Sequence, residues 1–152
     1  MAWSGGQRRR LRFVIILDTN VLSALMRTSP DAAVVGWLDR QPAESIWVTS
    51  LTVFEVRFGL AVLPRGRKRL GLEAAFEKAL EEDLENRILD FDAPAAAAAA
   101  RLAADRKSAG RSADLRDTLI AGIAQARRAT IATRNTRHFE GLDVPVVDPW
   151  TA

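Results

Sequence analysis

The chain has 152 residues, 48% apolar and 27% charged, which is enough for one domain around one core. It has no cysteine and one histidine, His138, which excludes a disulfide framework, a thiolate zinc site and a histidine-rich metal centre; any metal must be held mainly by oxygen. The net charge of +3 is gathered at the N-terminus: taking away Arg8, Arg9, Arg10 and Arg12 leaves −1, and residues 1–12 contain no acid.

The N-terminus is basic and then apolar, as in a signal peptide. Its apolar run is too short, however, ends at Asp18 and lacks a small-residue cleavage site. No window approaches the length of a membrane span, so a cytoplasmic protein is expected. Residues 1–12 are expected to be a disordered basic tail able to hold a phosphate backbone, and 13–150 a single domain.

Residues 13–18, within "FVIILDTNVLS", read as a fully buried strand, continuous, apolar and β-branched, that stops on Asp18. Asn20 or Thr19 is the expected cap of a helix to about Arg27. In "SPDAAVVGWLDRQP", Ser29 is the expected cap, Pro30 lies in the first turn and Pro42 ends the segment. "SIWVTS" (45–50) is a second strand. The next segment is a helix capped by Thr49 or Ser50 and ended by Pro64.

"RGRKRLGLEAAFEKALEEDLENR" predicts one long charged helix with Leu70, Phe76, Leu80 and Leu84 on its apolar side. A strand over 88–91 follows. The next helix takes Asp92 as cap, Pro94 in its first turn and Gly110 as stop, and its alanine run offers a flat face for close packing. A helix over 112–128, a strand within 129–135 and a last strand within 144–150 complete the chain. Alternating strands and helices predict a parallel sheet covered on both faces, with ligands at the carboxyl ends of the strands where strand order reverses.

Several polar residues map to that edge. Asp18 ends the first strand. Glu55 lies one turn into its helix among Val53, Phe54, Val56 and Phe58, and shares a face with Thr52 and Gly59. Asp117 opens "DTLIAGIA", three residues after Asp114, and Asn135 follows "TIAT". Each has a plain explanation: Asp18 and Asp114 as helix caps, Asp117 as a first-turn acid, Glu55 as the partner of an arginine. Gathered at one edge, carboxylates repel unless a cation joins them. Magnesium accepts such hard oxygen ligands and can activate water for phosphoester hydrolysis.

With Asp18, Glu55 and Asp117 placed, the sequence resembles the PIN-domain ribonucleases, in particular the VapC-type toxins of bacterial toxin–antitoxin pairs and their FitB-like subgroup. The matching pieces are "ILDTNVLSAL", "TSLTVFEVRFGL", "DTLIAGIA" and "IATRNTRHFEGLDVPVVDPW", spanning about Ile15 to Trp150. The resemblance implies an α/β fold, a three-layer α/β/α sandwich on a central, mainly parallel sheet of four to five strands. It implies an endoribonuclease that depends on Mg2+ or Mn2+ and hydrolyses RNA by metal-activated water. Asp18, Glu55 and Asp117 match the family's first three acids and would hold the metal. Asn135 stands where members often carry a fourth acid and completes the expected catalytic set. The family further implies a homodimer and a small VapB-like antitoxin whose C-terminal segment occupies the active-site groove. Promoter DNA would be bound only through that antitoxin.

Thr19, Asn20, Asp114 and Thr133 are the expected supporting groups around the acids. Arg134, Arg137 and the N-terminal arginines are candidates for the RNA backbone. Two other chemistries fit less well. A haloacid dehalogenase-type phosphatase needs a second aspartate where Asn20 stands, and a receiver domain needs paired acids at the first strand end. From another class, a weakly active or inactive PIN-fold partner in an antitoxin–DNA complex is the alternative that Asn135 keeps open.

Overall fold

The structure is a computed structural model and describes residues 13–152; the basic tail expected over residues 1–12 lies outside the described residues. Ile15 and Leu17 pack into one hydrophobic cluster and Ile16 into another, as the two-residue period of a strand covered on both faces requires. They form β1 (Ile15–Leu17), the middle of a five-stranded sheet completed by β2 (Ile46–Thr49), β3 (Ile88–Leu89), β4 (Thr130–Ala132) and β5 (Val146–Val147). The strand order is β3-β2-β1-β4-β5 and every pairing is parallel, so the expected sheet is present with five strands.

Among the described residues six α-helices cover the sheet: α1 (Thr19–Leu25), α2 (Ala32–Asp39), α3 (Ser50–Ala61), α4 (Arg67–Lys78), α5 (Ala93–Ser108) and α6 (Leu115–Arg127). Val21, Leu22, Val34, Trp37 and Phe76 fill the core on one face, with Ile15, Leu17 and Val48. Ala95, Ile120, Ala121, Ile123 and Ala124 fill the other, with Ile16 and Ile131. The layers are therefore α/β/α. The chain runs from β1 through β2 to β3 on one side and then returns to place β4 on the other side of β1. The strand order reverses between β1 and β4, the place at which sheets of this kind bind ligands beyond the carboxyl ends of their strands.

Local chemistry explains most boundaries and corrects some expectations. The cap of α2 is Asp31, not Ser29: its carboxylate accepts from the Ala33 and Val34 amides (2.9 and 3.4 Å), and Pro30 precedes the helix. Ser29 stands two residues outside the first turn, out of reach of those donors. The long charged helix is also not continuous. It widens into a π-turn at Ala79–Asp83, where the Leu84 amide reaches back to Ala79 O (2.8 Å), and Leu80 and Leu84 are buried. Leu70 is 68% exposed rather than part of the apolar side. It lies six residues before Phe76, about two-thirds of a turn out of phase with the stripe Phe76, Leu80, Leu84.

The alanine run behaves as expected. Asp92 caps α5 through the Ala95 amide (3.1 Å), and Gly110 ends it with a positive φ. A Cβ added at Gly122 of α6 would lie 2.6 Å from Ala95 O and from Ala99 Cβ, so the two helices meet almost backbone to backbone. Small residues on both sides permit that approach, which sets where the start of α6 stands beside β1 and β4.

Candidate active site

Asp18 leaves the end of β1 almost fully buried, at 2% exposure. It, rather than Thr19 or Asn20, is the cap of α1: Oδ1 accepts from the Thr19 amide (2.8 Å). Its carbonyl accepts from the Val21 and Leu22 amides. Oδ2 accepts from Thr133 Oγ1 (2.8 Å) and from Asn20 Nδ2 (3.3 Å). Asn20 also donates to Thr133 Oγ1 and accepts from the Arg134 amide at 3.1 Å. Thr133 and Asn20 thus join the ends of β1 and β4 and hold the Asp18 carboxylate in one orientation.

Glu55 stands one turn into α3, whose cap is Thr49 through the Thr52 amide (3.2 Å). Thr19 Oγ1 donates to Glu55 Oε1 at 2.7 Å and also lies 3.3 Å from Thr52 Oγ1. Gly59, one turn further, has open space where a side chain would be. With Thr19, Met26, Val56 and Leu60 it lines an open groove of about 330 Å³ that runs up to Glu55. Asp117 lies in the first turn of α6 and is buried. Asp114 caps that helix, accepting from the Asp117 amide at 3.1 Å, so its carboxylate serves the helix rather than the acid cluster.

The three expected acids therefore meet at one point, and what joins them is a residue that pattern reading passed over. Arg116 donates from Nη2 to Asp18 Oδ1 (2.5 Å) and from Nη1 to Asp117 Oδ1 (2.5 Å), and its Nε pairs with Glu55 Oε1. Nη2 also donates to Thr19 Oγ1 at 2.9 Å. Burial alone would lower the Arg116 pKa; the charge of Asp18 and the bonds to Glu55 and Asp18 outweigh that and raise it. The group stays protonated at every accessible pH. For Asp117, burial pushes the pKa up; the Arg116 charge opposes this and the nearby Asp114 and Asp18 add to it, leaving it above the usual aspartate value. His138 also faces Asp117, with Nδ1 2.9 Å from Oδ2.

Adjacency to Asp117 was the only hint of Arg116, and successive helical residues do not normally share a face. The guanidinium reaches all three acids only because the fold brings α1, α3 and α6 together. His138, the sole histidine, lies in the 3-10 turn Thr136–Phe139 and carried no spacing signal. Asn135 is exposed; its amide donates to Thr133 Oγ1 (3.0 Å), and among the described residues its side chain bonds to none of the three acids. Arg137 lines a cleft of about 230 Å³ beside Asp117, with Arg106, Arg111, Asp114 and His138. The Arg134 guanidinium lies instead over the Trp150 ring, 4.7 Å from its centre.

The donor set is one of hard oxygens, three carboxylates with a threonine hydroxyl beside them, and by its chemistry fits a magnesium- or manganese-type cation. Three carboxylates against one guanidinium leave two negative charges uncompensated, which also favours a further cation.

The sequence matches the PIN domain family model over residues 15–144. It is 40% identical over 139 residues to the plasmid stability protein StbB of Pseudomonas syringae pv. tomato, covering 91% of this chain and 100% of that one. It is 38% identical to the VapC ribonuclease Y4jK of Sinorhizobium fredii (90% of this chain, 98% of that one). The same identity holds for Toxin FitB of Neisseria gonorrhoeae (90% and 99%). The solved structure of FitAB bound to an IR36 DNA fragment is similar with a TM-score of 0.81 and 38% identity, covering 90% of this chain and 96% of that chain.

Proposed function

The chain belongs to the PIN-domain family, and on that premise we propose that it is a VapC-type endoribonuclease, the toxin of a toxin–antitoxin pair, whose cleavage of RNA depends on a divalent cation. One observation carries the reading: Asp18, Glu55 and Asp117 converge at the sheet edge where strand order reverses. These three residues would hold Mg2+ or Mn2+. Such an ion, when bound, supplies a water of lowered pKa and stabilises charge on the phosphate.

The chain's own residues do the rest. Thr133 and Asn20 orient Asp18, Thr19 orients Glu55, and His138 orients Asp117. Arg106, Arg111 and Arg137 make the cleft beside Asp117 attractive to an RNA backbone; the arginines of residues 1–12 are further candidates for RNA contact. The groove that runs up to Glu55 would receive a segment of a small VapB-like antitoxin, and promoter DNA is bound only through that partner. The rings of Phe54 and Phe58, stacked 6.1 Å apart and exposed on α3, support assembly into a homodimer. The protein acts in the cytoplasm, where its substrate is; among the described residues no helix is long and apolar enough to cross a membrane.

The test is RNA cleavage by purified protein with magnesium, with chelator, and with Asp18→Asn. The expected result is cleavage that chelator stops and that Asp18→Asn lowers by about 10²-fold or more. Equal rates for Asp18→Asn and the native protein would sink the assignment. No cleavage by the native protein, with a small antitoxin still co-purifying after co-expression of the adjacent reading frame, would favour a non-catalytic PIN-fold partner.

A further inference from the structure

Acidic side chains at a sheet edge need a counter-cation, and here a side chain supplies it. Arg116 gives one donor to each of Asp18, Glu55 and Asp117 and a further bond to Thr19. Among the described residues, no three acidic or histidine side chains are grouped as an ion site in this arrangement. The fork of the guanidinium spaces the carboxylates for itself. A divalent cation needs the same oxygens drawn onto one centre, and a second positive charge held among them repels it.

We propose that Arg116 is an internal counter-cation that exchanges with the catalytic metal: it neutralises the acid cluster of the metal-free protein and leaves the cluster when the ion enters. The proposal rests on the metal-dependent reading above. The exchange needs no movement of the backbone. Arg116 is the second residue of α6, its side chain is 28% exposed, and among the described residues its guanidinium is bonded only to these acids and Thr19. Rotation about its own stem frees it. Once displaced, it remains tethered one residue from Asp117, with its donors free for a phosphate oxygen at the mouth of the site. Metal affinity is then reduced by the fraction of molecules in which Arg116 holds the cluster.

The test is calorimetric titration of chelator-stripped protein with Mn2+, comparing the native chain with Arg116→Gln and Arg116→Lys. If Arg116 occupies the cluster about nine-tenths of the time, Arg116→Gln binds Mn2+ about tenfold tighter. Arg116→Lys, which keeps a charge but loses the fork, falls between. In chelator Arg116→Gln melts below the native protein, and it gains more than the native protein on adding Mn2+. Equal affinities, or weaker binding by Arg116→Gln, overturn the exchange and leave the metal reading standing. No binding by any of the three overturns both. Should the variants fail to fold, the native protein gives a second readout in the nitrogen-15 spectrum of its arginine side chains. One protected Nε–H signal in chelator is expected to lose its protection at saturating Mg2+; a signal that Mg2+ leaves unchanged overturns the proposal.

Discussion

Asp117 is subject to opposing pressures, and their balance has a measurable sign. Burial raises its pKa, Arg116 pulls it down, and Asp114 and Asp18 push it up again, for a net rise above the unfolded value. An acid with a raised native pKa favours the folded state below its unfolded pKa. That contribution is lost as pH climbs through the native pKa, so the ionised group costs stability at neutral pH. Asp117→Asn should therefore melt higher than the native protein in chelator at about pH 7, by a few degrees at most, and the gap should close as pH falls toward about 4. Thermal scans at the two pH values check this. A variant that is less stable at neutral pH would show that the bond to Arg116 outweighs burial. Asp18 is held differently, by Thr133, which is itself fully buried. Thr133→Val removes that donor in a volume-conserving way, and cleavage should fall about tenfold with the fold intact. Unchanged cleavage would mean that Asn20 and the Thr19 amide suffice. The acids were legible from sequence because strand ends and helix starts are readable from pattern. Arg116 and His138 were not, since their partners lie far along the chain or on a neighbouring residue that spacing places on another face.

At the scale of elements, the position of Asp117 depends on how closely α6 lies against α5. Gly122 and the alanines at 95 and 99 make that contact, and a methyl at 122 would stand 2.6 Å from a backbone oxygen. Alanine has better helix propensity than glycine by about 1 kcal/mol. The collision is with backbone, however, and overpacking of this kind costs about 1–3 kcal/mol, so the steric term should win. Gly122→Ala is expected to lower stability by about 1–2 kcal/mol in urea unfolding. Cleavage should fall along with it, because the shift is passed to the start of α6. A variant more stable than the native protein would mean that the two helices separate without cost. Caps show the same contrast between what pattern reaches and what it misses. Asp92 and Asp114 cap their helices as the sequence suggests, and of the three caps it offers for α1 the structure selects Asp18 over Thr19 and Asn20, whereas Asp31 replaces Ser29. A cap is decided by which oxygen reaches the first free amides, a matter of about an ångström that residue type alone does not settle.

Across the whole molecule, charge is unevenly distributed. Three acids, Asp18, Glu55 and Asp117, are drawn together around Arg116 beside the end of β1, while the excess of positive charge lies in residues 1–12. Neutralised phosphates release counterions, and each adds about 0.7 to the salt slope of single-stranded RNA binding. A chain starting at residue 13 should bind RNA more weakly, with the slope of log affinity against log salt reduced by up to about 3. Filter binding at several salt concentrations checks this. An unchanged slope would place the RNA contact on the folded body alone, with Arg106, Arg111 and Arg137.

Pattern and composition were enough to predict the parallel sheet covered on both faces and three acids at one edge, and to expect mainly oxygen ligands for any metal. These follow from local periodicity, from the absence of cysteine and from the rule that parallel strands deliver their ends to one side. The partner of those acids was decided only in three dimensions. A guanidinium bonding Asp18, Glu55 and Asp117 at once joins residues 61 and 98 positions apart in the chain, and no local pattern encodes that distance. The same holds for Asn135: its place after β4 is readable, but whether its side chain reaches the cluster depends on a turn whose geometry turns its backbone amide to Thr133. Sequence therefore names the chemistry of the site, and packing determines which cation occupies it.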